Sequence, residues 1–131
     1  MAEGALPHRQ APHTLLYTSF LLRVVKTRPH AEGLAALLPC FWVYAHVGDI
    51  MLEKRRHSKA TRPPMFDAWI DMYGGPDFAD AVARYRALVE AAARATPEHV
   101  PQMADHFRTS CHLENMFWTQ AQDTLAWPDD A

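Results

Sequence analysis

The stretch "LLPCFWVYAHVGD" (37–49) places a thiol directly after a proline, inside an apolar and aromatic run. Cys40 and Tyr44 stand four residues apart, so on a helix they project from one face, one turn from each other. A thiol with a hydroxyl beside it could act as a nucleophile once deprotonated. The same thiol could be small core filler, since free cysteine is among the most buried residue types and a wholly apolar setting makes it inert. A second group lies in "CHLENMFW" (111–118), where Glu114 is flanked by Leu113, Met116, Phe117 and Trp118. A buried carboxylate either finds a donor or is pushed up towards neutrality, the condition a general acid needs. Were Glu114 to face solvent instead, it would share a polar stripe with His112 and Asn115. Phe117, three residues on, shares the Glu114 face and would be either a stacking surface or plain core.

Eight histidines raise the question of a metal. His112-x-Glu114 matches part of a zinc deaminase signature, but no C-x-x-C follows it. None of the glutamates has the histidine three residues on that di-iron bundles use. There is no glycine-rich phosphate loop and no G-x-S-x-G. No metal and no cofactor are therefore expected, although a haem on a single axial histidine needs no spacing and stays open. Tyr17, Phe41, Trp42, Tyr44, Phe66, Trp69, Phe117 and Trp118 fall on four expected helices. Aromatic faces around a polar pair suit a flat heterocycle and suit a core equally well.

The elements that must position these groups read as all-α. Residues 1–13 hold two prolines and little periodicity, an irregular lead-in. A helix follows over about 13–27, with Thr14 as its N-cap. A second is expected from about Glu32 to Lys59, apolar on every side as far as Val47 and kinked by Pro39, whose ring presses on the Ala35 carbonyl. "MFDAWIDMY" gives a short helix stopped by "GGP" (74–76), and "PDFADAVARYRALVEAAARA" an amphipathic one. The last runs from Thr96, as N-cap, to about Trp127. About five helices result, and no stretch alternates with period two.

Length and composition bound the partners. A chain of 131 residues, nearly half apolar, suits one domain over 1–131 with a hydrophobic core. A net charge of −2 gives no footprint for nucleic acid or an anionic membrane. The start lacks the layout of a secretory signal, and "GLAALLPCFWVYAHVG" is short for a membrane span. Two distant cysteines make no disulfide scaffold, and the cytosol is the expected compartment.

Read together, "YTSFLL" (17–22), "LAALLPCFWVYAHVG" (34–48), "FDAWIDMYGGPDFADAV" (66–82) and "HLENMFW" (112–118) resemble, in order and rough spacing, the TenA/thiaminase II family. The resemblance covers the chain from about residue 12 onward. It implies a haem-oxygenase-like helical bundle, homotetrameric assembly, no metal, and hydrolysis of aminopyrimidines: ammonia from aminomethyl-aminopyrimidine, or the thiazole from thiamine. Carried over by motif, the nucleophile falls on Cys40 and its neighbouring hydroxyl on Tyr44. Tyr17 matches a pocket tyrosine, Glu114 the acid/base carboxylate, and Phe117 the ring that stacks on the pyrimidine. Phe66 stands where the family offers an active-site tyrosine, so it is expected in the substrate pocket without the hydroxyl.

The resemblance further implies that this sequence begins after the family's first helices, which hold an aspartate that grips the aminopyrimidine; the only carboxylate in residues 1–13 is Glu3. An apolar flank should then be exposed, favouring self-association or pairing with an N-terminal segment. A non-catalytic pyrimidine-binding module on the same fold is the alternative these departures motivate.

Overall fold

The computed structural model describes residues 9–129. Among them are six α-helices and one 3-10 turn, and no strand: α1 (Pro12–Thr27), α2 (His30–Leu37), α3 (Pro39–His57), α4 (Pro64–Tyr73), α5 (Pro76–Ala95), the turn Pro97–His99, and α6 (Val100–Asp123). The all-α expectation stands. Of the expected lead-in, residues 1–8 lie outside the described residues, and Pro12 and His13 already belong to α1.

Thr14 does not cap α1. Pro12 opens the helix, with no N–H to satisfy, and the next donors are met from the far end of the chain. The Gln120 side-chain oxygen accepts from His13 N–H (2.8 Å) and Thr14 N–H (3.3 Å), while Gln120 Nε2 donates to Thr14 Oγ1. Pro29 then biases Arg28 to extended backbone and ends α1.

The single helix expected over about Glu32–Lys59 is two, α2 and α3, joined without a loop. Leu38 keeps right-handed helical angles (φ −57°, ψ −40°), and the break is one of hydrogen bonding. Pro39 cannot donate to the Ala35 carbonyl, which instead accepts from Leu38 N–H at 3.3 Å. Taken as one rod, His30–His57 is long enough (28 residues) to cross a membrane by length and composition alone, and it holds an 18-residue window of mean hydropathy 1.4. It makes contacts with α1, α4, α5 and α6, and 28% of that window is buried among them.

α2 lies deepest. Its Ala31, Gly33, Ala35 and Ala36 are buried and small, so neighbouring helices approach closely. Ala31 and Ala35 pack with Met103 of α6, and Val89, Ala92 and Ala93 of α5 close over them. Glu32 is buried in the same element at 1 % exposure. Arg28 Nε and His106 Nε2 each lie 2.8 Å from its Oε2, and His99 Nδ1 lies 3.3 Å from Oε1. This carboxylate fastens the end of α1 to α2, the 3-10 turn and α6. Among the described residues no group of three or more His, Cys, Asp or Glu is placed to hold a metal ion.

The α3–α4 pair depends on Gly48, where an added Cβ would lie 2.4 Å from the Tyr73 carbonyl carbon and oxygen. Thr96 does not cap the last helix: its hydroxyl donates back to the Ala92 carbonyl (2.8 Å), and the 3-10 turn intervenes before α6. α6 ends at Asp123 rather than Trp127, where Thr124 turns left-handed (φ 50°). Trp127 folds back, its indole N–H donating to the Gln10 carbonyl at 2.7 Å.

Candidate functional site

Cys40 is the second residue of α3, immediately past the Pro39 break. Its Sγ lies 3.1 Å from the Tyr17 hydroxyl of α1, and that hydroxyl lies 3.1 Å from Ser110 Oγ of α6. Tyr17 and Ser110 are buried, and Cys40 is half-buried. Burial pushes the thiol up, the Tyr17 hydrogen bond opposes that, and the Glu114 charge adds to the rise. Burial thus favours the thiol, and the Tyr17 hydroxyl stands where it could support the anion.

Glu114 sits one turn after Ser110 on α6 and is 3 % exposed, so it does not join a solvent stripe. It has found a donor: Trp118 Nε1–H donates to its Oε1 at 3.0 Å. His112 and Asn115 are exposed on the other side. The Tyr44 hydroxyl is driven well above the usual tyrosine range, by burial first and then by the Glu114 carboxylate. Tyr17 is driven up as well, by burial foremost.

These groups share a cavity of about 390 Å³, lined among others by Tyr17, Cys40, Tyr44, Tyr73, Glu114 and Phe117. Its walls are aromatic. Tyr44 and Tyr73 have ring centroids 5.1 Å apart, and Phe78 of α5 meets Tyr73 edge-on at 5.0 Å. Trp118 backs Tyr44 at 5.7 Å. A larger space of about 480 Å³ lies between α2, α5 and α6, but its wall is mostly aliphatic and aromatic, with Cys111 and Arg108 as its reactive or charged groups. Chemistry therefore selects the smaller cavity, where a thiol, three tyrosines and a carboxylate converge.

Residues 2–124 match the TENA/THI-4/PQQC family. The chain belongs to this family. It is 36% identical over 124 residues to an aminopyrimidine aminohydrolase of Bacillus subtilis, covering 94% of this chain and 50% of the relative. An aminopyrimidine aminohydrolase of Halalkalibacterium halodurans is 30% identical over 118 residues, covering 89% of the chain and 51% of the relative. The thiamine biosynthesis multifunctional protein ThiED of Corynebacterium efficiens is 36% identical over 112 residues, covering 85% of the chain and 14% of the relative. The chain thus spans about half the length of the aminopyrimidine aminohydrolases it matches.

In this TENA/THI-4/PQQC chain, five of the six expected site residues line one cavity: Tyr17, Cys40, Tyr44, Glu114 and Phe117. Phe66 does not. It is 54% exposed and lines a separate cavity with Arg55, Arg62 and Ile70. The α4 residue that reaches the site is Tyr73, seven positions later on the same helical face and about 10 Å further along the axis. Gly48 draws that end of α4 onto α3, so the pocket keeps a tyrosine hydroxyl that the motif alone implied was lost. A second hydroxyl stands at the thiol. The expected neighbour, Tyr44, lines the pocket with Cys40, and the hydroxyl within hydrogen-bond distance of the sulfur is that of Tyr17. Ser110 was not anticipated; it stands four residues before Glu114, the same interval that joins Cys40 to Tyr44.

Proposed function

We propose that this chain is an aminopyrimidine hydrolase of thiamine salvage that cleaves the C–N bond at the pyrimidine methylene of aminomethyl-aminopyrimidine or thiamine. The observation that carries the reading is the meeting of Cys40, Tyr17 and Glu114 in one aromatic-walled cavity of ligand size. The names of the aminopyrimidine aminohydrolases it resembles support the substrate class. The Cys40 anion adds to the electron-poor pyrimidine, and Glu114 handles the proton of a ring nitrogen. The amine or thiazole then leaves from the methylene, water adds there, and the thiol is regenerated. Phe117 offers a stacking face, and Tyr44 and Tyr73 polar edges, to the flat ring. Tyr17 donates to the sulfur when it carries charge. No cofactor takes part in this scheme.

Purified protein given aminomethyl-aminopyrimidine should release ammonia, and Cys40→Ser should remove that release while leaving ligand binding. Undiminished turnover by Cys40→Ser would take the nucleophile's role away. The second reading, a non-catalytic pyrimidine-binding module, draws on the half-buried, largely aromatic setting of the Cys40 thiol. Calorimetry separates the two, since binding without ammonia release favours the module. We further place the protein in the cytosol as a homo-oligomer. Leu15, Leu22 and Val25, all exposed on α1, support association with a second copy, to be read by sedimentation.

A further inference from the structure

Resting on that reading of the Cys40 site, we propose that Ser110 is a positioning residue: its hydroxyl donates to Tyr17 and thereby commits the single Tyr17 proton to the sulfur anion of Cys40. Two wirings that keep the Tyr17 proton between these two partners fit the same pair of 3.1 Å distances. In one, the thiol donates to Tyr17 and Tyr17 donates to Ser110. In the other, Ser110 donates to Tyr17 and Tyr17 donates to sulfur. A thiolate accepts only, so its formation requires Tyr17 to donate towards it. The Tyr17 oxygen is then left with lone pairs in a buried site where an unmatched polar atom is costly. Ser110, wholly buried and placed against that oxygen, is the group that meets it. Its rotor must then turn from the backbone carbonyl a mid-helix serine ordinarily uses. Donation in a chain strengthens each successive bond, so the loss of Ser110 should be felt at the sulfur it never touches.

The groups facing Cys40 are Tyr17 from α1, Tyr44 on its own helix, Tyr73 from α4, Tyr85 from α5 and Glu114 from α6. Glu114 pulls on the Tyr17 proton as well, which makes the direction set by Ser110 matter.

The test is the pH dependence of iodoacetamide alkylation at Cys40, followed in the purified chain by peptide-resolved mass spectrometry so that Cys111 is read separately. Ser110→Ala should move the midpoint up by about half a pH unit, or about threefold less alkylation at a fixed lower pH. Ser110→Thr should keep the original midpoint. Tyr17→Phe should shift it at least as far as Ser110→Ala, and the double variant no further than Tyr17→Phe alone. A downward shift in Ser110→Ala would mean that Ser110 takes the Tyr17 proton away, and no shift would mean that it does nothing; either overturns the proposal, as does additivity in the double variant. Should Ser110→Ala not fold, the equally shaped pair Ser110→Thr and Ser110→Val repeats the comparison. Alkylation needs no substrate, so the result stands whether or not the chain hydrolyses aminopyrimidines. Turnover by Cys40→Ser would defeat only the functional reading.

Discussion

Gly48→Ala probes how the aromatic wall of the site is assembled. The added Cβ would sit 2.4 Å from the carbonyl carbon and oxygen of Tyr73 and 2.6 Å from Gly74 N. Comfortable contact between such atoms is about 3.5 Å, so α4 must retreat by about 1 Å. No side chain can rotate out of the way, because all three atoms are backbone. Overpacking of this kind costs about 3 kcal/mol, and replacing glycine by alanine inside a helix returns about 1 kcal/mol. The net loss is about 2 kcal/mol, or a melting temperature lower by roughly 8 °C in a chain of this size. Gly33→Ala is the matched control. Its Cβ would meet Val25 at 3.7 Å, an ordinary contact, so only the helix-propensity gain remains. That variant should melt up to about 4 °C higher than the parent. Thermal melts by far-ultraviolet circular dichroism give both numbers. If Gly48→Ala melts no lower than the parent, the close approach of α3 to α4 is not as tight as the 2.4 Å contacts require. Where Gly48→Ala remains folded, aminopyrimidine binding should weaken with it, since Tyr73 moves with its backbone.

Glu32→Gln should cost about 2 kcal/mol near neutral pH, less than for a fully buried pair because Arg28 is 44% exposed. Burial would raise the Glu32 carboxyl, but Arg28 and His106 outweigh it and hold the group below its ordinary value of 4.5. Its stabilisation is therefore complete above that value and is lost as pH falls through the lower folded one, so urea midpoints of parent and variant should draw together as the pH is taken below it. A gap between them that ignores pH would contradict this. Gln120→Ala removes the acceptor for His13 and Thr14 N–H and should cost about 1 kcal/mol, with faster amide exchange confined to the first turn of α1. Trp118→Phe deletes the donor to Glu114 and should lower turnover by about tenfold while barely moving the melt; unchanged turnover would show that the Glu114 carboxylate does not depend on it.

Much of the architecture was legible because the forces that write it are local. Hydrophobic spacing gave the helices, and the missing N–H of Pro39 gave the break ahead of Cys40; even the orphaned Ala35 carbonyl was foreseeable, though not its partner. The break was expected as a bend within one helix, and it separates α2 from α3 while Leu38 stays helical. Thr14 and Thr96 had the right residue type for caps, yet neither caps a helix. A proline at the first helical position and a carboxamide from α6 satisfied α1 first, and the Thr96 hydroxyl turned back to Ala92. Cap preference is weak enough for a well-placed distant side chain to override it.

The sequence by itself determined the helical class and the identity of the thiol, the carboxylate and the pair spacings on α3 and α6, since a turn of helix is fixed by backbone geometry alone. Only tertiary structure decided that Tyr17 rather than Tyr44 bonds the sulfur, that Tyr73 rather than Phe66 enters the pocket, and that Ser110 stands behind Tyr17. Those choices depend on where helices far apart in the chain cross, and a crossing is set by side-chain volumes on both partners, such as the absent side chain of Gly48 against the Tyr73 backbone.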